Sequence, residues 1–389
     1  MKQSREWIAG AVLATAGAVF ALVMLEVGVR MLHLVPDRFW EPDPMLGARL
    51  VAGKRGWWSQ EEREFLVPIE VNQHGLHDVE HDYEKKPGVV RVLVLGDSFV
   101  EALHVPLEDS FARRLQSELD KDRRDVEVIG AGVSGYGTAG AVLLFEREGV
   151  RYKPDVVVLA FYPGNDVRNN SPTLEDTLRP VYGPDGELQK VESIGGRGMG
   201  GGGGWSRAYQ YLRKLVLTRQ PALAKVLADV GLMKPEAIRM EAERDGVPVT
   251  YGVYGAPLDA EWEDAWKHTE GLLARLKRDV EAAGAKFAVA IVTAREVIYP
   301  DTWEEILAAH PDMRARRWEL GSPTARLLGW CTASGVPCLD LDDAFVKARD
   351  SGSEALHFHH DGHWTPAGHA VAATAVKTFI EGQQLLPAN

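Results

Sequence analysis

Val89-Val-Arg-Val-Leu-Val-Leu-Gly-Asp-Ser-Phe99 joins a short apolar, β-branched run to an abrupt polar end at Gly96-Asp97-Ser98. The run has the signature of a strand buried on both faces. Gly96 permits a tight turn that a Cβ would resist. A helical stretch is expected soon after, from about Asp109, which is the candidate N-cap. A buried strand ending in a serine loop before a helix presents a nucleophile at the carboxyl edge, where open α/β sheets bind ligands.

The pattern repeats outward from there. Val126 to Gly130 reads as a second strand, running into the glycine-studded loop Ala131-Gly-Val-Ser-Gly-Tyr-Gly-Thr138, with a helix over 139–148. Asp155-Val-Val-Val-Leu-Ala-Phe161 reads as a third strand leading into Tyr162-Pro-Gly-Asn-Asp166. A long amphipathic helix over 261–283, a strand over 286–292, a helix over 323–333 and a strand over 336–341 continue the alternation. Thr365 as N-cap and Pro366 at the first helical position open a final helix. Strands alternating with helices predict a parallel sheet covered on both sides.

Two regions break this rhythm. Between 167 and 258 no strong strand is expected. Eight glycines fall within 195–204, and helices are expected over 206–217 and 222–232. This insertion is expected to cap or edge the site. Trp205, Tyr209 and Tyr211 could stack on a sugar ring there or pack the inserted helices. At the amino end, Trp7 to Leu25 carries no charge, a length that crosses a bilayer core of about 30 Å. Lys2 and Arg5 precede it, while Glu26 and Arg30 follow at i,i+4 spacing. An uncleaved signal anchor is expected, with the amino end cytoplasmic. The expected organisation is a stub over 1–6, an anchor over 7–32, an extension over 33–88 and a catalytic domain over 89–389 containing the insertion 167–258. Asp78-Val-Glu-His81 has Asp-x-x-His spacing but reads as a solvated acidic segment.

With 56 acidic against 44 basic residues the formal net charge is −12, which argues against a nucleic-acid partner. The two cysteines, Cys331 and Cys338, form no Cys-x-x-Cys pair. They could be linked in an oxidising compartment, or be two small buried hydrophobes.

Five of the twelve histidines crowd Leu356-His-Phe-His-His-Asp-Gly-His-Trp-Thr-Pro-Ala-Gly-His369. Asp361 and His363 are two apart, so an extended loop would point both to one side. The carboxylate could then orient the imidazole, and the imidazole could take the proton of Ser98, the arrangement of a Ser-His-Asp triad. Donors for an oxyanion are the Ser98 amide, the Gly135 amide (with Gly132 as a rival on the same loop) and the Asn165 side chain. His357, His359 and His369 are expected to pack or face solvent. No metal and no cofactor is expected.

Four blocks occur in order: Gly96-Asp97-Ser98, Gly135 within Val-Ser-Gly-Tyr-Gly-Thr, Gly164-Asn165-Asp166, and Asp361 with His363. In this the chain resembles the SGNH (GDSL-type) hydrolase superfamily. The resemblance implies a three-layer α/β/α sandwich with a flavodoxin-like, five-stranded parallel sheet, and ester hydrolysis or acyl transfer without a metal. One departure is the last block, Asp-x-His where the family usually has Asp-x-x-His; His360 stands three before His363. The form Asp-x-His-Trp-Thr-Pro-x-Gly-His is similar to acetyltransferases that decorate bacterial exopolysaccharides such as alginate. The expected activity is therefore a membrane-anchored, extracytoplasmic serine esterase acting on acetyl esters of a carbohydrate. The alternatives are an O-acyltransferase working with polysaccharide-modification machinery, a non-catalytic carbohydrate-binding scaffold, and a metal-dependent phosphatase.

Overall fold

The computed structural model describes residues 2–43, 46–60, 62–122, 125–171, 173–174, 180–191, 206–231, 233, 243–244 and 247–387. The glycine-rich run and Trp205 lie outside the described residues. Residues 39–197 and 241–389 make one compact unit. Residues 1–38, which include helix α1 (Lys2–Met31), and 198–240 make another.

The larger unit holds a five-stranded sheet of β1 (Val90–Gly96), β2 (Val126–Gly132), β3 (Val156–Phe161), β4 (Lys286–Ile291) and β5 (Cys338–Asp340). The strands are parallel in the order β5-β4-β3-β1-β2. The chain therefore moves outward from β1 in two directions, and the crevice between β1 and β3 opens at their carboxyl ends. There β1 runs directly into the short helix α2 (Ser98–Glu101). Val90, Val92 and Val94 of β1 pack into a core with Phe111, Leu115, Trp364 and Val376. Leu93 and Leu95, at alternate positions, are equally buried, so helices cover both faces. On one side lie α3 (Phe111–Leu119) and the last helix, Pro366–Gly382; on the other lie α4 (Thr138–Arg147) and the long helix Ala260–Ala282. Thr365 caps the last helix by accepting from the Gly368 amide at 3.3 Å.

Several sequence expectations need correction. An unexpected short helix, α2 (Ser98–Glu101), precedes the expected one, which stands at Phe111–Leu119. Ser110, not Asp109, caps α3; Asp109 closes a preceding 3-10 turn. Residues 180–182 and 188–191 pair as a short hairpin inside the insertion.

The last correction is larger. Asp78 and His81 are buried, not solvated. Asp78 accepts from Gly130 N at 2.7 Å and pairs with Arg113 at 2.7 Å. His81 bonds Glu127 at 2.7 Å, and Glu127 also pairs with Arg91 at 2.7 Å. The cluster satisfies a backbone donor of β2, an edge strand that would otherwise present open hydrogen-bonding groups. Glu80, Asp82 and Glu84 are exposed as expected, while Asp78 pairs with Arg113, 35 positions away in the sequence.

Cys331 and Cys338 are joined by a disulfide, with Cα atoms 6.2 Å apart. It ties the helix Ser322–Ser334 to the edge strand β5. Closing so short a loop contributes about 2 kcal/mol. Reduction is expected to lower the urea midpoint accordingly, and an unchanged midpoint after verified reduction would rule this out.

Candidate active site

Ser98 stands at the carboxyl end of β1, as the first residue of α2. Asp97 caps that helix by accepting from Phe99 N at 2.9 Å. The turn packs tightly against β2: a Cβ on Gly132 would lie 2.6 Å from the Asp97 carbonyl oxygen. Glycine is therefore required for the nucleophile turn and the neighbouring strand to approach so closely.

His363 lies in the loop before the last helix. Its Nε2 is 2.7 Å from Ser98 Oγ, and its Nδ1 is 2.6 Å from Asp361 Oδ1. A carboxylate only accepts, so Nδ1 carries the proton and Nε2 offers its lone pair to the serine hydroxyl. Contrary to the sequence expectation, the loop is not extended. It turns at Gly362, φ +84°, a conformation L side chains rarely adopt. The turn is closed by Phe358 N donating to His363 O at 2.8 Å. Burial disfavours the His363 cation, but the hydrogen bond to Asp361 and the charges of Asp361, Asp97 and Glu101 outweigh it, raising its pKa above the usual value.

Sequence reasoning missed the group that holds this loop. The Glu64 carboxylate accepts from the backbone amides of His359, His360 and Asp361 at 2.7, 2.8 and 2.9 Å. Burial pushes its pKa up, yet the three amides and Gln60 hold it below the ordinary carboxylate value. Glu64 is thus a positioning residue: it fixes the backbone of the acid that orients His363. Glu64→Ala is expected to lower kcat about tenfold or more by loosening that geometry, with Glu64→Gln retaining part of it. Unchanged kcat in a folded Glu64→Ala variant would remove this role.

Asn165, in α5 (Pro163–Asn169), donates from Nδ2 to Asp97 Oδ2 at 2.9 Å. Its second amide hydrogen remains available to an oxyanion. Gly135 is on the loop after β2, whose neighbour Val133 donates to Gly96 O at 3.3 Å. Gly135 O accepts from Asn169 at 3.3 Å, and Ser134 donates to the Glu101 carboxylate. Gly135 therefore sits on a loop tied to α2 and α5, while Ser98, His363 and Asp361 meet directly.

Glu101 and His104 were also unforeseen. Glu101, one turn past Ser98, is buried and receives Trp40 Nε1 at 2.8 Å. Burial raises its pKa from 4.5 to about 7 despite these donors. The folded state thus holds a proton that the unfolded chain releases from about pH 4.5, so stability falls as pH rises from there to about 7. The loss is about 3 kcal/mol at most. Glu101→Gln is expected to flatten this slope and to gain stability at about pH 8. A variant with the wild-type slope would contradict it. The His104 ring stacks on His363 with centroids 4.6 Å apart and bonds His369 at 3.1 Å through Nε2. Burial, then the nearby His363, lowers the pKa of both, that of His369 to about 3. The pair backs the site as neutral rings.

His357 bonds Thr293 at 3.2 Å and His359 bonds Arg295 at 2.6 Å; neither joins a cluster with His369. Among the described residues His104, Asp361 and His363 bring their metal-capable atoms within 4.8 Å of one another. Their facing atoms are engaged by His369, by each other and by Ser98.

A five-stranded parallel sheet in flavodoxin-like order carries a serine, a histidine and a carboxylate, joined by hydrogen bonds, over its carboxyl edge. Residues 258–389 match the family model described as the SGNH hydrolase-like domain of the acetyltransferase AlgX. The matched stretch contains the last of the four blocks, Asp361 with His363. Among solved structures, TesA is 15% identical with a TM-score of 0.36, covering 75% of this chain and 98% of its own. A catalytic mutant of Axe2, an acetylxylan esterase from Geobacillus stearothermophilus, is 12% identical with a TM-score of 0.38, covering 76% and 96%. A GDSL-like lipase from Bacteroides thetaiotaomicron is 14% identical with a TM-score of 0.35, covering 75% and 88%. No curated protein matches the chain.

Proposed function

We propose that the chain is a membrane-anchored serine esterase that cleaves acetyl esters of a carbohydrate. The observation that carries this reading is the unbroken hydrogen-bond chain from Asp361 through His363 to Ser98. Ser98 Oγ attacks the ester carbonyl as His363 Nε2 takes its proton. The oxyanion is held by the Ser98 amide, Asn165 Nδ2 and the Gly135 amide. His363 then protonates the leaving alkoxide, leaving an acyl-enzyme on Ser98. Water, deprotonated by the same imidazole, releases acetate.

The acetyltransferase match supports a second reading, in which a sugar hydroxyl replaces that water. The chemistry up to the acyl-enzyme is unchanged. An apolar helix, Glu6–Met31, none of whose most apolar stretch is buried, supports the anchor. The disulfide supports an oxidising, extracytoplasmic location for the larger unit.

A fluorophosphonate probe should label Ser98, located by peptide mass spectrometry, and an aryl acetate should protect it. Labelling elsewhere, or none on folded protein, sinks the acyl-enzyme reading. Acetate release insensitive to a chelator is expected; loss on chelation would favour the metal-dependent alternative. Turnover that rises when an oligosaccharide is added, with acetyl groups recovered on it, would select transfer over hydrolysis.

A further inference from the structure

The smaller unit contains a surface that the proposed chemistry does not use. Helix α1 carries its uncharged run from Trp7 to Leu25, 19 residues. At about 1.5 Å per residue this run matches a bilayer core, which places Glu26 at its edge. The Glu26 carboxylate accepts from Ser206 Oγ at 2.9 Å, Arg207 N at 3.0 Å and Ala208 N at 2.8 Å. These groups open the helix Arg207–Arg219. Arg207 also donates to Pro36 O at 2.9 Å and pairs with Asp37, just past the end of α1. The start of that helix is therefore pinned at the level where α1 leaves the hydrocarbon.

The helix Arg207–Arg219 and its successor, Pro221–Asp229, expose apolar side chains at helical spacing. Tyr209 and Leu212 are 58% and 45% exposed. Leu223, Val226 and Val230, at i, i+3 and i+7, are 44%, 56% and 62% exposed. Such stripes are ill suited to water, but they suit the boundary between headgroups and acyl chains. The charge also fits. Residues 206–231 hold five basic side chains, Arg207, Arg213, Lys214, Arg219 and Lys225, against the single acidic Asp229, in a chain of net charge −12. Lys225 lies about 160° round its helix from Leu223 and about 140° from Val230, so the cation points away from the centre of the apolar stripe. Long basic side chains beside an apolar stripe can lay their stems along it and keep their charge among phosphates.

We propose that residues 206–231 form a membrane-surface segment that lies in the headgroup layer of an anionic bilayer beside the exit of α1. The proposal rests on the anchor reading of α1 and extends it. The insertion then serves as a second attachment, and two weak signals together hold a chain on a membrane where one gives only marginal binding. Anionic lipid is the occupant because the segment reverses the sign of the surrounding charge and continues from the membrane end of α1.

The test uses the full chain reconstituted into vesicles of phosphatidylcholine with or without phosphatidylglycerol. Single cysteines Leu13→Cys, Leu212→Cys, Val226→Cys and Lys225→Cys carry an environment-sensitive fluorophore. Spin-labelled lipids quench it, with the spin label near the headgroup or deep in the acyl chain. The expected result is strong quenching of position 13 by the deep label. Positions 212 and 226 should be quenched by the shallow label, and position 225 much less. Arg213→Glu with Lys214→Glu should reduce shallow quenching at 212 in the anionic vesicles. Quenching at position 13 with none at 212 and 226 overturns the proposal and leaves the anchor standing. Absence of quenching at position 13 as well overturns both.

Discussion

Ser98→Ala is expected to lower aryl acetate turnover by roughly 10⁴- to 10⁶-fold, since a serine hydrolase without its nucleophile retains only the catalysis of its binding groups and oxyanion donors. The structure makes this a clean substitution. Ser98 Oγ bonds His363 Nε2 at 2.7 Å, while α2 is capped by Asp97 and not by the serine side chain. Removing the hydroxyl thus spares the cap and leaves the Asp361–His363 bond in place. Thermal stability should change by less than about 1 kcal/mol. Loss of both turnover and fluorophosphonate labelling, with the melting temperature kept, is the expected set. Turnover within about tenfold of wild type would mean that another group attacks the ester, and the acyl-enzyme at Ser98 would be abandoned.

The parts of this arrangement legible in the sequence are those carried by local pattern. Strand β1 and the final helix announce themselves through apolar runs and a Thr-Pro start, and both stand where the residues suggest. Asp361 and His363 are visible as a pair because two positions suffice to align them, although the turn at Gly362 rather than an extended backbone brings them together. What stays hidden depends on contacts between distant segments. Glu64 lies 295 to 297 positions before the amides it binds, and nothing local marks it among the neighbouring acidic residues. Glu101 and His104 are lost in the stretch after Ser98, with no periodicity to separate a buried acid from a solvated one. Asp78 and His81 mislead for the same reason: within a run of charges they read as solvated until Arg113 arrives from α3 and Glu127 from β2. Charge pairing across the fold is a property of topology, whereas helix caps and strand cores are written along the chain.

Asp361→Asn is expected to cost roughly 10³- to 10⁴-fold in kcat, close to the loss of the nucleophile itself, although it changes one oxygen to one nitrogen. The reason is tautomeric. The carboxylate at 2.6 Å from Nδ1 can only accept, so the proton sits on Nδ1 and the lone pair of Nε2 faces Ser98. An amide can turn its NH2 toward Nδ1 and donate instead. The ring proton then moves to Nε2, which can no longer accept from the serine hydroxyl. The charge effect runs the other way and gives an independent readout. In the native protein burial opposes the His363 cation, and the Asp361 bond and charge prevail, so its pKa lies above 6.5. Activity needs the neutral ring, and it is lost as pH falls through that raised pKa. The asparagine removes the carboxylate that most favours the cation and leaves burial against it. The acidic limb of the residual kcat profile should therefore move to lower pH, while the plateau drops. A plateau that drops with the limb unmoved would mean that Asp361 steadies the loop without setting the state of His363, as Glu64 does from the far side of the same turn.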